Sequence, residues 1–240
     1  MNSLDPANVP LPLPPVNSTT TSQAAFAINN SGVIVGAFTD SATSTTPGFV
    51  DVNGAYTVLN PVAPVGGALV VNAQHINSSG LVDGFYATNN TGTDQHGFLF
   101  NSQTNAYTLL PDPSTAQTAD GNLALTQFLG LNDAGIATGY YQTKDTGSQF
   151  GFLFDTKTNA YTFLDDPLAA PFNGTQVTQI TGINNTGEID GFYIDSSGAQ
   201  RGFLANPAAV PEASTTVSLG ALLALGGLTL AVRRRKAAAH

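Results

Sequence analysis

The 240-residue chain carries 7 Lys and Arg against 16 Asp and Glu, has no cysteine, and is only 10% charged but 42% hydrophobic. Charge this sparse, against roughly 25% in an average soluble domain, leaves polarity to Asn, Thr, Ser and Gln; with 25 Gly and 14 Pro it favours turns and short strands over charged amphipathic helices. Before residue 210 the acids number fifteen against Lys144, Lys157 and Arg201, a balance that excludes nucleic acid as a partner because such binding rests on cation–phosphate contacts.

The length suits one sizeable domain plus a tail, and zero cysteines leave the redox compartment open. Residues 1–23 begin polar and turn Pro-rich, from Met1-Asn2-Ser3-Leu4-Asp5 into Val9-Pro10-Leu11-Pro12-Leu13-Pro14-Pro15-Val16, without the basic and apolar regions of a signal peptide. The sequence therefore predicts a true start upstream of Met1.

Residues 24–209 are repetitive. A turn signature recurs four times, at Ile28-Asn29-Asn30-Ser31-Gly32, Ile76-Asn77-Ser78-Ser79-Gly80, Leu131-Asn132-Asp133-Ala134-Gly135 and Ile183-Asn184-Asn185-Thr186-Gly187. A Gly-aromatic motif follows each, at Gly36-Ala37-Phe38, Gly84-Phe85-Tyr86, Gly139-Tyr140-Tyr141 and Gly191-Phe192-Tyr193. A third motif comes after a variable loop, at Gly48-Phe49, Gly97-Phe98, Gly151-Phe152 and Gly202-Phe203. Ala55-Tyr56-Thr57, Ala106-Tyr107-Thr108 and Ala160-Tyr161-Thr162 close the first three copies; the fourth copy lacks this segment. Asn and Gly tolerate positive φ, and the aromatic and β-branched runs between them fit half-buried strands. Each copy reads as four short strands that need stacked neighbours to bury their faces, which is the logic of a propeller blade. The expected fold is all-β, a repeat-built β-propeller-like body of four four-stranded blades, with the N-terminal segment 1–23 either supplying the last blade's outer strand or forming a disordered Pro-rich leader. The repeats resemble the HAF-type extracellular repeat, although His96-Gly97-Phe98 alone keeps the histidine.

The chain ends on Val210-Pro211-Glu212-Ala213-Ser214 (210–214), an uncharged stretch at 215–232, and Arg233-Arg234-Arg235-Lys236 opening a basic tail at 233–240. As a helix the middle stretch is roughly 27 Å long, close to the hydrocarbon thickness of a bilayer, and the cations after it mark a cytoplasmic stop. Motif, transmembrane helix and basic cluster in this order resemble the PEP-CTERM sorting signal of Gram-negative bacteria, with Ala213 in place of the motif's second proline. The resemblance implies an exosortase-type processing enzyme as partner, an inner-membrane-anchored precursor, and a mature form in the cell envelope or outside the cell, associated with exopolysaccharide and biofilm.

Chemistry is thin. The position before the Gly-aromatic motif holds Val35, Asp83, Thr138 and Asp190. In a ring of four, Asp83 and Asp190 lie opposite each other, so they form a candidate metal site in which oxygen ligands face a calcium ion across the axis. His75, His96 and His240 lack ligand spacing, and no nucleophile elbow, zincin or P-loop pattern occurs. The expected function is non-enzymatic, a scaffold or adhesion module that contacts exopolysaccharide. The alternative is a propeller-based glycan hydrolase or lyase, which demands two carboxylates at a defined separation.

Overall fold

In a computed structural model, residues 20–61, 69–89 and 91–206 are described. They are all-β. Repeat 1 contains β1 (Thr20–Ile28), β2 (Ile34–Asp40), β3 (Gly48–Val52) and β4 (Ala55–Leu59). Repeat 2 contains β5 (Val70–Ile76), β6 (Leu81–Ala87), β7 (Gln95–Asn101) and β8 (Ala106–Leu109). Repeat 3 contains β9 (Leu123–Leu131), β10 (Ile136–Thr143), β11 (Gln149–Asp155) and β12 (Ala160–Leu164). Among the described residues, repeat 4 contains β13 (Thr178–Ile183), β14 (Ile189–Ile194) and β15 (Gln200–Ala205). Each repeat is an antiparallel meander in chain order.

The three glycine motifs have three separate physical causes. In the turns, Gly32, Gly80, Gly135 and Gly187 have φ of 77°, 80°, 85° and 87°, where a side chain is strained. In the second strand of each repeat the cause is a bulge. The first strand skips one residue in its pairing at Phe26, Gln74, Leu129 and Thr181. Beside each bulge a carbonyl of the first strand crowds the second: a Cβ at Gly36, Gly84, Gly139 or Gly191 would lie 2.0, 2.0, 1.9 or 2.0 Å from the oxygen of Ala24, Asn72, Gln127 or Gln179. Only glycine allows that approach.

The third-strand glycines are holes between repeats. A Cβ at Gly48 would lie 2.9 Å from Val71 of repeat 2, one at Gly97 2.2 Å from Phe128 of repeat 3, and one at Gly151 2.8 Å from Ile180 of repeat 4. The cores form around these seams. Val35, Val50, Leu59, Val71, Ile76 and Phe98 cluster between repeats 1 and 2, and Leu99, Leu110, Phe128, Leu131, Phe152 and Phe154 between repeats 2 and 3. The closing-strand tyrosines reach back across the same seams. Tyr107 Oη accepts the Asn60 amide at 3.1 Å, and Tyr161 Oη donates to Pro111 O at 2.7 Å.

Three repeats thus have the four strands expected, and the fourth has three among the described residues. Closure into a four-repeat ring is not seen: among the described residues no strand of repeat 4 pairs with repeat 1. The N-terminal strand expected to complete the last blade, the sorting motif, the transmembrane helix and the basic tail all fall outside the described residues, apart from the start of β1 at Thr20. Among the described residues no helix is long and apolar enough to cross a membrane.

Candidate functional site

The four Ile-Asn-x-x-Gly turns converge. Each asparagine first organises its own turn: Asn77 Oδ1 accepts the amides of Ser79 and Leu81 at 3.1 and 3.0 Å, and Asn29 and Asn184 repeat the pattern with Ser31 and Val33, and with Thr186 and Glu188. The amide nitrogen then reaches the next repeat. Asn29 Nδ2 donates to Asn77 O at 3.1 Å, Asn77 Nδ2 to Asn132 O at 3.2 Å, and Asn132 Nδ2 to Asn184 O at 3.2 Å. At the end of this ladder Asn184 Nδ2 turns back to its own Glu188 Oε2 at 2.7 Å. A second layer runs alongside: Asp133 accepts from the Ser78 amide at 2.8 Å and from Asn185 Nδ2 at 2.8 Å, while its own amide donates to Asn185 Oδ1 at 2.9 Å. These bonds, led by those from Ser78, hold the Asp133 carboxyl below its usual range.

Around the ladder lies a depression of about 260 Å³, to which all four repeats contribute, through Asn30, His75, Asn77, Asp133 and Asn185 among others. Its lining includes one carboxylate, that of Asp133. His75 is partly buried, its Nδ1 is enclosed without a hydrogen-bond partner, and burial lowers its pKa against the opposing pull of Asp133. This is a surface able to accept a small polar group, with its donors and acceptors largely engaged in holding repeat to repeat.

Asp83 and Asp190 do occupy the same place in their repeats, opposite His75 and Gly182 in the strand register. Their surroundings differ. Asp83 is fully buried, both carboxylate oxygens lack a hydrogen-bond partner of good geometry, and desolvation pushes its pKa up to about 8, with the amides of His75 and Asp83 itself offsetting only part of that. Strand β6 is packed by β9 of the following repeat, so Asp83 does not line the depression. Asp190 is exposed, with Oδ1 accepting from Thr181 Oγ1 at 3.3 Å. The pair is therefore not the open, axis-facing arrangement the repeat spacing predicted. Among the described residues no group of three His, Asp or Glu side chains is placed to hold a metal ion.

Sequence reasoning missed a second cluster. His96 sits between two carboxylates, with Nδ1 3.0 Å from both oxygens of Asp112 and Nε2 3.3 Å from Asp94 Oδ1, and its ring lies 5.7 Å from that of Tyr86. The hydrogen bond to Asp112 is the main cause of its raised pKa. The signal for the ladder, by contrast, was present in the sequence, because an asparagine stands second in all four turns.

No protein-family model matches the chain, and no curated protein is similar to it in sequence. Among solved structures it is similar to a gluconolactonase from Xanthomonas campestris, at 9% identity and a TM-score of 0.39 over 79% of this chain and 62% of that one. It is also similar to the Aleuria aurantia lectin solved with a fucosyl-α1-6-GlcNAc ligand, at 12% identity and a TM-score of 0.39 over 80% of this chain and 65% of that one. The chain thus spans less than two thirds of the length of each, and similarity at this level fixes neither a family nor an activity.

Proposed function

We propose that the protein is a non-enzymatic, exported envelope or surface scaffold whose repeats are propeller-type blades. The observation that carries this reading is the use made of the turn asparagines. The one polar side chain that recurs in all four turns bonds to the next repeat in the three copies that have one, instead of serving a reactive group. The shared depression has one carboxylate, already engaged, where glycan hydrolysis needs two at a defined separation. Polar side chains presented on a repeated frame suit adhesion to a hydroxyl-rich polymer such as exopolysaccharide. The destination rests on the order of the 210–214 motif, the uncharged 215–232 stretch and the basic cluster at 233–236. An exosortase-type enzyme would process this tail after the precursor is anchored in the inner membrane.

Fractionation of the native host tests the proposal, together with binding and hydrolysis assays on its own exopolysaccharide. The expected outcome is a membrane-bound precursor, a shorter mature form at the surface or in the medium, and polymer binding without chain cleavage. A wholly cytosolic product would remove the export reading, and release of reducing ends would replace the scaffold by a hydrolase.

A further inference from the structure

The contact between successive repeats is built three times on one plan. A first-strand side chain fills the hole at the preceding repeat's third-strand glycine: Phe128 and Ile180, at one register position, fill those at Gly97 and Gly151, and Val71, two residues earlier in register, fills that at Gly48. The Ile-Asn turn packs in the same seam: Ile76 and Leu131 are 2% and 1% exposed, and the asparagine carbonyl receives the preceding repeat's Nδ2.

At the trailing face of repeat 4 the corresponding parts stand open. Among the described residues the nearest atom to a Cβ on Gly202 would be the oxygen of Gly191, 3.8 Å away and in the same repeat. Leu204 is 75% exposed where Val50 and Leu99 are 2% and 6%. Asp190 is exposed where Val35, Asp83 and Thr138 are fully buried. At the leading face of repeat 1 the complementary parts stand open as well. Ile28 is 65% exposed, and Ala25 is exposed at the register position that holds the buried Ala73, Phe128 and Ile180 in later repeats.

We propose that these two faces are the halves of a fourth such contact, made between two copies of this chain. The leading face of repeat 1 in one copy docks on the trailing face of repeat 4 in the other. The complementarity is inherited from the seams inside the chain, because every leading face already fits a trailing face of the same construction. Such a head-to-tail contact closes into a ring when its rotation allows. The closed number follows from the blade reading: propellers typically have about 4–8 blades, so a second copy completes a ring and a third exceeds it.

The absence of native cysteine gives a direct test. Ala25→Cys and Gly202→Cys are placed on exposed positions of the two faces, one in each of two full-length preparations in mild detergent, which are then mixed and oxidised. The mixed disulfide should dominate over links between like variants, and the unmodified chain should have the mass of two copies by light scattering. Gly202→Trp, at a position where a Cβ has only the Gly191 oxygen near it among the described residues, should weaken association by about tenfold or more. Asp190→Val, the residue of repeat 1 at that position, should strengthen it. With both cysteines in one chain, a covalent pair of chains is expected. A link within a single chain at every dilution would show that one copy closes on itself, and failure to link at single-chain mass would remove the contact altogether. A ladder of longer products would overturn the two-copy ring.

Discussion

Asp83 shows how one position changes meaning with what covers it. Enclosed under the following repeat, its carboxyl stays protonated at neutral pH because the amides of His75 and Asp83 offset only part of the cost of ionising in that site. Its folded pKa of about 8 lies above the ordinary 3.8. The stability linked to its protonation is therefore fully present below the unfolded value and is lost as pH rises through the folded one, with a slope of at most about 1.4 kcal/mol per pH unit in between. Asp83→Val, which copies Val35, should abolish that slope and raise stability most at pH 8–9. Denaturant titrations of both proteins across pH 4–9 check this, and parallel profiles would mean that Asp83 is not buried in this way.

At the scale of the element, the third strand of each repeat is defined by the residue its glycine admits. Gly97→Ala would place a methyl group 2.2 Å from the Phe128 ring and 3.3 Å from Leu110, and overpacking a seam of this kind costs typically about 1–3 kcal/mol. Among the described residues Gly202→Ala meets only the Gly191 oxygen within contact distance, so thermal unfolding should move for the first variant and hardly for the second. The strands themselves were legible in the sequence, because alternating aromatic runs bounded by Asn-Gly turns have one physical reading. The bulges were not. Gly36, Gly84, Gly139 and Gly191 were visible as a motif, but their cause is a carbonyl on the neighbouring strand that no local pattern encodes. Register places Asp83 opposite His75 and Asp190 opposite Gly182, yet which of the two is covered depends on whether another repeat follows, a fact of stacking and not of spacing.

On the scale of the whole molecule, the four repeats behave as a one-dimensional stack in which each member contacts its neighbours, so stability is expected to be a sum of intrinsic and interface contributions. The asparagine ladder is the polar part of those interfaces. Its members differ by place: Asn77 and Asn132 are buried and both give and receive a bond across a seam, whereas Asn184 receives one and returns its own donor to Glu188. These asparagines clamp repeat to repeat and do more than shape their turns. The most direct measurement is the equilibrium unfolding of the four single variants Asn29→Ala, Asn77→Ala, Asn132→Ala and Asn184→Ala, at a dilution that keeps the chain single. Losses of about 1–3 kcal/mol are expected at Asn77 and Asn132, where the variant removes a buried donor and orphans the carbonyl it reaches across the seam, and clearly smaller losses at the more exposed Asn29 and at Asn184, whose donor stays within its own turn. Equal losses at all four positions would contradict the clamp, because the turn alone would then explain the asparagine.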